Sequence, residues 1–213
     1  MGSSSNSIYI LIFSLFLISI IHSEIVENQQ WMSIEISKNI SQNIEIDLSQ
    51  EIRYKSNYDE FSKTFTDLSL SYKIFSSIKF IGQYRYIIYT DKEKKRLSFS
   101  TKYYKQLYNF NLSYKLKIQR DYEMDKSPED NFRNKLKIKY PINLFITPFI
   151  SYELFQTIED EKFSEDKYRA STGLEIDIYS NQSIELFYIF NGEYKDSGIE
   201  GSHITGLSYK YSF

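Results

Sequence analysis

From residue 31 to residue 213, apolar side chains return at every second position, in segments of about ten residues. This period of two constrains the fold more than any other feature, because only an extended strand turns alternate side chains to opposite faces. One segment shows the sorting in full. Ile44, Ile46, Leu48 and Ile52 share one parity, and Glu45, Asp47, Ser49, Glu51 and Arg53 share the other. A helix, turning ~100° per residue, would scatter both sets and leave apolar groups in water and charges in a core. The same alternation recurs from Met32/Ile34/Ile36 through Leu97/Phe99/Tyr103 and Ile184/Leu186/Tyr188/Phe190 to Leu207/Tyr209/Tyr211/Phe213, making eleven segments in all.

The connections also alternate. Short turns fall near 39–42, 75–77, 106–108, 141–143 and 180–182, and longer polar links near 55–63, 90–95, 121–131, 157–166 and 193–202. This pattern predicts an all-β, up-and-down antiparallel transmembrane β-barrel with short periplasmic turns and longer outer loops. Bacterial single-chain barrels have even strand numbers, so the expectation is about twelve strands, with residues 25–30 supplying a short extra one; ten is the next choice. Residues 1–23 read as a signal peptide: 8–21 form an apolar run broken only by Ser14 and Ser19, too short for a bilayer-spanning helix of ~20 residues. Residues 24–213 then form one barrel domain.

Alternation alone does not say which face is enclosed. A soluble carrier of an apolar ligand has its apolar parity inside, whereas a membrane barrel has it outside. The membrane version fits the segment length and the Tyr residues near segment ends, such as Tyr54, Tyr72, Tyr103 and Tyr140, where aromatic girdles lie. Composition narrows the function. Cys is absent and His occurs only at His22 and His203, which removes thiolate chemistry and nearly removes His-ligated metals; neither a metal nor a cofactor is expected. With 26 basic against 28 acidic residues, the chain carries no footprint for nucleic acid.

A resemblance adds to this reading. The ending Tyr211-Ser212-Phe213 is similar to the terminal strand signal by which outer-membrane barrels meet their assembly machinery. Glu51-x-Arg53, Tyr84-Arg85-Tyr86, Arg133 within Phe132-Arg133-Asn134-Lys135-Leu136, Pro148-Phe149-x-x-Tyr152-Glu153, Tyr168-Arg169 with Gly173, and His203-x-x-Gly206-Leu207 together resemble the bacterial outer-membrane family called domain of unknown function 2490. That resemblance implies a barrel in the Gram-negative outer membrane, among its lipids and lipopolysaccharide, and transfers no site.

If the polar parity lines the lumen, strands four to seven contribute ten cations and no carboxylate, while most of the acids stand on the remaining strands. Such a basic wall facing an acidic one suits a narrow pore for small anionic or polar solutes, with Arg85, Arg96, Lys117, Arg133 and Lys137 opposite Glu51, Glu153 and Glu175 as the contacts. The same charges would equally fill a closed lumen as ion pairs. An enzymatic alternative rests on His203 and Thr205, a His with a hydroxyl two residues on, as in lipid-modifying barrel hydrolases, though no acid follows at a recognisable spacing. Asp59/Glu60 and Glu159/Asp160/Glu161 fall in links read as outer loops, where solvated charge or cation-bridged lipopolysaccharide would account for them.

Overall fold

In the computed structural model, which describes residues 24–55, 60–159, 162–195 and 198–213, every segment of alternating sequence is a strand. The strands are β1 (Glu24–Asn39), β2 (Ile44–Lys55), β3 (Glu60–Phe75), β4 (Ile78–Tyr89), β5 (Glu93–Leu107), β6 (Phe110–Glu123), β7 (Glu129–Lys139), β8 (Ile146–Glu159), β9 (Lys162–Tyr179), β10 (Gln182–Lys195) and β11 (Gly198–Ser212). Each pairs antiparallel with the next in sequence, and the sheet closes on itself between β1 and β11. The leader read at residues 1–23 lies outside the described residues, as do Asp59, Asp160 and Glu161.

Among the described residues the strands number eleven, not twelve or ten. Residues 25–30 are no separate strand; they continue into β1 and pair with β11, from Ile25 opposite Gly201 to Gln30 opposite Thr205. An even number is required only when every pair is antiparallel. Here the first and last strands run the same way, and the slanted bonds of a parallel pair make the closure.

The long outer loops are also shorter than their sequences suggest. Adjacent strands are separated by two to six residues at either end of the barrel. The polar links mostly prolong the hairpins, as in Lys55 opposite Glu60, Lys94 opposite Glu123 and Lys195 opposite Gly198. A hairpin wet on both faces satisfies its backbone without alternating, so its residues read as loop.

The apolar parity faces outward. Ile34, Leu70 and Phe99 are 53%, 55% and 74% exposed, whereas Asp67, Ser98 and Lys117 on the opposite parity are buried. This overturns the soluble apolar-ligand carrier, whose greasy side chains would have to be enclosed.

Near the short-turn end the wall is thinned to admit rings. A Cβ added at Gly173 would meet the Leu186 carbonyl oxygen and come within 2.6 Å of the Phe149 ring. Gly173→Ala is therefore expected to cost about 1–3 kcal/mol, since one of the two contacts is backbone and cannot swing aside. Urea unfolding of lipid-embedded protein measures it.

Candidate solute path in the lumen

The lumenal parity of ten strands, β1 to β10, converges on one cavity of ≈ 480 Å³ toward the end opposite the short turns, with β10 contributing Ile189. β1 supplies Trp31, β2 Glu51 and Arg53, β3 Lys63 and Phe65, β4 Arg85, β5 Lys94 and Arg96, β6 Lys115, Lys117 and Asp121, β7 Arg133 and Lys135, β8 Glu153 and Phe155, and β9 Lys167 and Arg169. Period-two alternation builds this set, because every second residue of each strand must point inward.

Four arginines are clamped by acids. Arg85 donates through Nε and Nη2 to Asp67, both at 2.6 Å, and Arg96 likewise to Asp121 at 2.5 and 2.6 Å. Arg133 donates to Glu153 at 3.0 and 2.7 Å and to Gln119 at 3.2 Å, and Arg53 donates to Glu51 at 2.5 Å. Arg169 differs. Its Nε donates to the Asn191 amide oxygen at 2.9 Å, and among the described residues it has no carboxylate partner.

Aromatic plates hold the guanidinium groups flat. Arg53 lies 3.4 Å from the Trp31 ring centroid and 4.4 Å from that of Phe65, and Arg169 lies 4.6 Å from Phe155. Such cation–π contacts fix the planes of the arginines and leave their N–H edges for acceptors.

The balance is strongly positive. Eleven cationic side chains line the cavity against Glu51, Asp121, Glu129 and Glu153. Among the described residues, Lys63, Lys115, Lys117 and Lys135 have no ion-pair partner, and Lys117 donates to the Gln83 amide oxygen at 2.7 Å. Beyond the cavity, at the end of β6, Lys126 and Lys94 hold the Glu123 carboxyl down at about 2, with Lys92 adding to them.

Of the residues expected to contact solute, Arg85, Arg96, Lys117, Arg133, Glu51 and Glu153 line this one cavity. Lys137 and Glu175 do not; they pair with Glu185 and Lys139 nearer the short turns. The segregation into a basic and an acidic wall gives way here to an interleaved ring, because Asp121 belongs to β6 rather than a loop and Arg53, Lys63, Lys167 and Arg169 bring cations to the far side. Sequence reasoning passed over Trp31, Phe65 and Phe155. Their signal was present: each is an aromatic residue on the polar parity, with Trp31 directly opposite Arg53 and Phe155 directly opposite Arg133.

His203 stands on the outer wall. Its Nδ1 shares a hydrogen bond with the Tyr188 hydroxyl, and its ring lies 5.7 Å from that of Phe190. Thr205 is two residues on and exposed. Among the described residues the imidazole thus has a phenol as its hydrogen-bond partner, where a hydrolase would supply an orienting acid.

The family model described as "Protein of unknown function (DUF2490)" matches residues 28–201. Among solved structures, the barrel is similar to the NanC porin, with 11% identity, a TM-score of 0.55, and coverage of 86% of this chain and 98% of that one. It is also similar to the KdgM porin, with 15% identity, a TM-score of 0.53, and coverage of 88% and 99%. The KdgM porin has also been solved in complex with disordered oligogalacturonate, and that structure aligns at 15% identity with a TM-score of 0.52. At these identities the likeness is one of fold. No curated protein matches the chain.

Proposed function

The chain belongs to the DUF2490 family, and starting from that membership we propose that it is a non-enzymatic outer-membrane barrel that passes small anionic or polar solutes through its lumen. The observation that carries this is the surplus of cations around a lumenal cavity of ≈ 480 Å³, several of them with no acid partner among the described residues. Unpaired charges cost free energy unless water or a counter-charge reaches them, so the arrangement favours a hydrated lumen that concentrates anions over one filled by internal ion pairs.

The outward apolar belt supports a place in a bilayer, in contact with outer-membrane lipids and, through the hairpins opposite the short turns, with lipopolysaccharide. A signal peptide at 1–23 would deliver the chain for export. The assembly machinery would then meet Tyr211-Ser212-Phe213, where the Phe213 N–H donates to the Ser37 carbonyl at 2.9 Å and seals the end of the β1–β11 seam. The fold likeness to porins, one of them solved with an acidic oligosaccharide, is consistent with anionic cargo.

Planar-bilayer recording tests the proposal. A reversal potential shifted toward that of chloride is expected, and the combined variant Lys63→Gln, Lys117→Gln and Arg169→Gln is expected to remove most of the shift, because among the described residues these three cations have no carboxylate partner to offset them. A bilayer that stays silent with correctly folded protein would overturn the pore.

A further inference from the structure

The register of the sheet places Arg169 on β9 opposite Glu153 on β8, Glu153 opposite Lys135 on β7, Lys135 opposite Lys115 on β6, Lys115 opposite Lys102 on β5, and Lys102 opposite Lys79 on β4. All of them lie on the lumenal parity. Glu153 is engaged by Arg133, and Lys79 by Glu45. The three lysines between, Lys135, Lys115 and Lys102, are consecutive, and among the described residues none has a carboxylate within ion-pair reach.

Neighbouring strands are about 4.8 Å apart, and like charges directly opposite one another destabilise a sheet. Lys63, Lys117 and Arg169 also lack an acid among the described residues, but only Lys102, Lys115 and Lys135 stand directly opposite one another, so three such lysines in file stand out energetically. Their position is equally specific. A register line runs across strands that tilt ~35–45° to the barrel axis, so it climbs the wall as it winds around it. Its upper part, Arg169, Lys135 and Lys115, lines the larger cavity. At its lower end Lys79 lines a second cavity of ≈ 430 Å³ beside the short turns, together with Glu45, Lys73 and Tyr104. Lys102 stands between, 4.7 Å from the Tyr104 ring.

We infer that this row is a track for a linear oligoanion whose acidic groups follow one another at about the strand spacing, handing it from one cavity to the other. The inference rests on the pore reading and deepens it by naming the cargo's chemistry. A single small anion answers one lysine at a time. A chain with one acidic group per sugar answers all three together, and each contact is weak enough to be exchanged for the next, as conduction through several sites requires.

The test uses trigalacturonate as probe and neutral maltotriose as its uncharged counterpart. Trp31, the only tryptophan, lines the larger cavity, so its fluorescence reports binding in micelles independently of current. Blockade of the chloride current in bilayers is the second readout. Lys102→Gln, Lys115→Gln and Lys135→Gln are each expected to weaken trigalacturonate about threefold, and the triple variant about thirtyfold, the size expected of partly exposed charge contacts. Lys105→Gln, on the outward parity of β5, should leave the affinity unchanged, and maltotriose should not respond to any substitution. Heat-shift on gels confirms folding, and the single variants serve if the triple does not fold.

A triple variant that binds trigalacturonate like the parent while remaining anion-selective overturns the track and leaves the pore standing. Silent bilayers with fluorescence-detected binding that weakens only in the row variants would uphold the row as a binding site and remove the pore. Equal weakening by Lys105→Gln would reduce the effect to overall charge and overturn the track.

Discussion

Replacing Glu153 by Ala is expected to destabilise the barrel by about 3–5 kcal/mol, the cost of stripping the partner from a buried ion pair. Glu153 is 7% exposed and accepts two of the three hydrogen bonds that Arg133 donates. It also stands in register between Lys135 and Arg169, so its removal leaves three cations around a vacated position. The size of the loss reports how water-like the cavity wall is, because a fully hydrated pair would give up only ~0–1 kcal/mol.

The outer pair Arg120–Asp130 provides the internal standard. Its side chains are 53% and 34% exposed and its geometry is as good, with bonds of 2.6 and 2.5 Å. Asp130→Ala should therefore cost less than about 1 kcal/mol. Urea unfolding midpoints at constant slope, measured in lipid vesicles, give both values on one scale. Removing Arg133 together with Glu153 should recover much of the loss, and the shortfall from additivity measures their coupling. Equal losses at Glu153 and Asp130 would mean that charges in the lumen are screened like those at the surface, and that the row of lysines carries no energetic penalty for an anion to relieve.

The wall of this barrel was legible in the sequence because parity is a strong signal: a charge on the wrong face of a strand such as β2 has nowhere to go. Closure was not legible. Nothing in residues 25–30 announces a parallel partner, and the register that seats Glu35 beside Lys210, 2.7 Å apart, joins positions 175 residues apart in the chain. The ends of the strands were misread for a different reason. Asp121 and Glu123 looked like loop because the outer flank of their strand carries Arg120 and Tyr122 and so does not alternate cleanly. Placing them on β6 supplies the acid that clamps Arg96. Which lysines lack an acid also depends on cross-strand neighbours, so no single segment could show that Lys102, Lys115 and Lys135 form a row.

Two adjacent residues test the orientation on which every functional statement depends. Leu70→Lys places an ammonium on the outward face of β3, at a side chain 55% exposed amid the apolar belt, and is expected to cost about 2–4 kcal/mol in a bilayer. Ser69→Lys, one residue earlier, turns the same ammonium into the lumen. There Ser69 lies opposite Asp47, whose Oδ1 is buried with no hydrogen-bond partner among the described residues, so the new charge meets an acceptor already in need of one. That variant should fall within about 1 kcal/mol of the parent, or exceed it in stability. Unfolding from vesicles compares the two directly, and no loss of secondary structure is expected in either case. If Leu70→Lys were as harmless as Ser69→Lys, water rather than hydrocarbon would bathe the outer wall, and neither a bilayer nor a pore through it could be argued from this barrel.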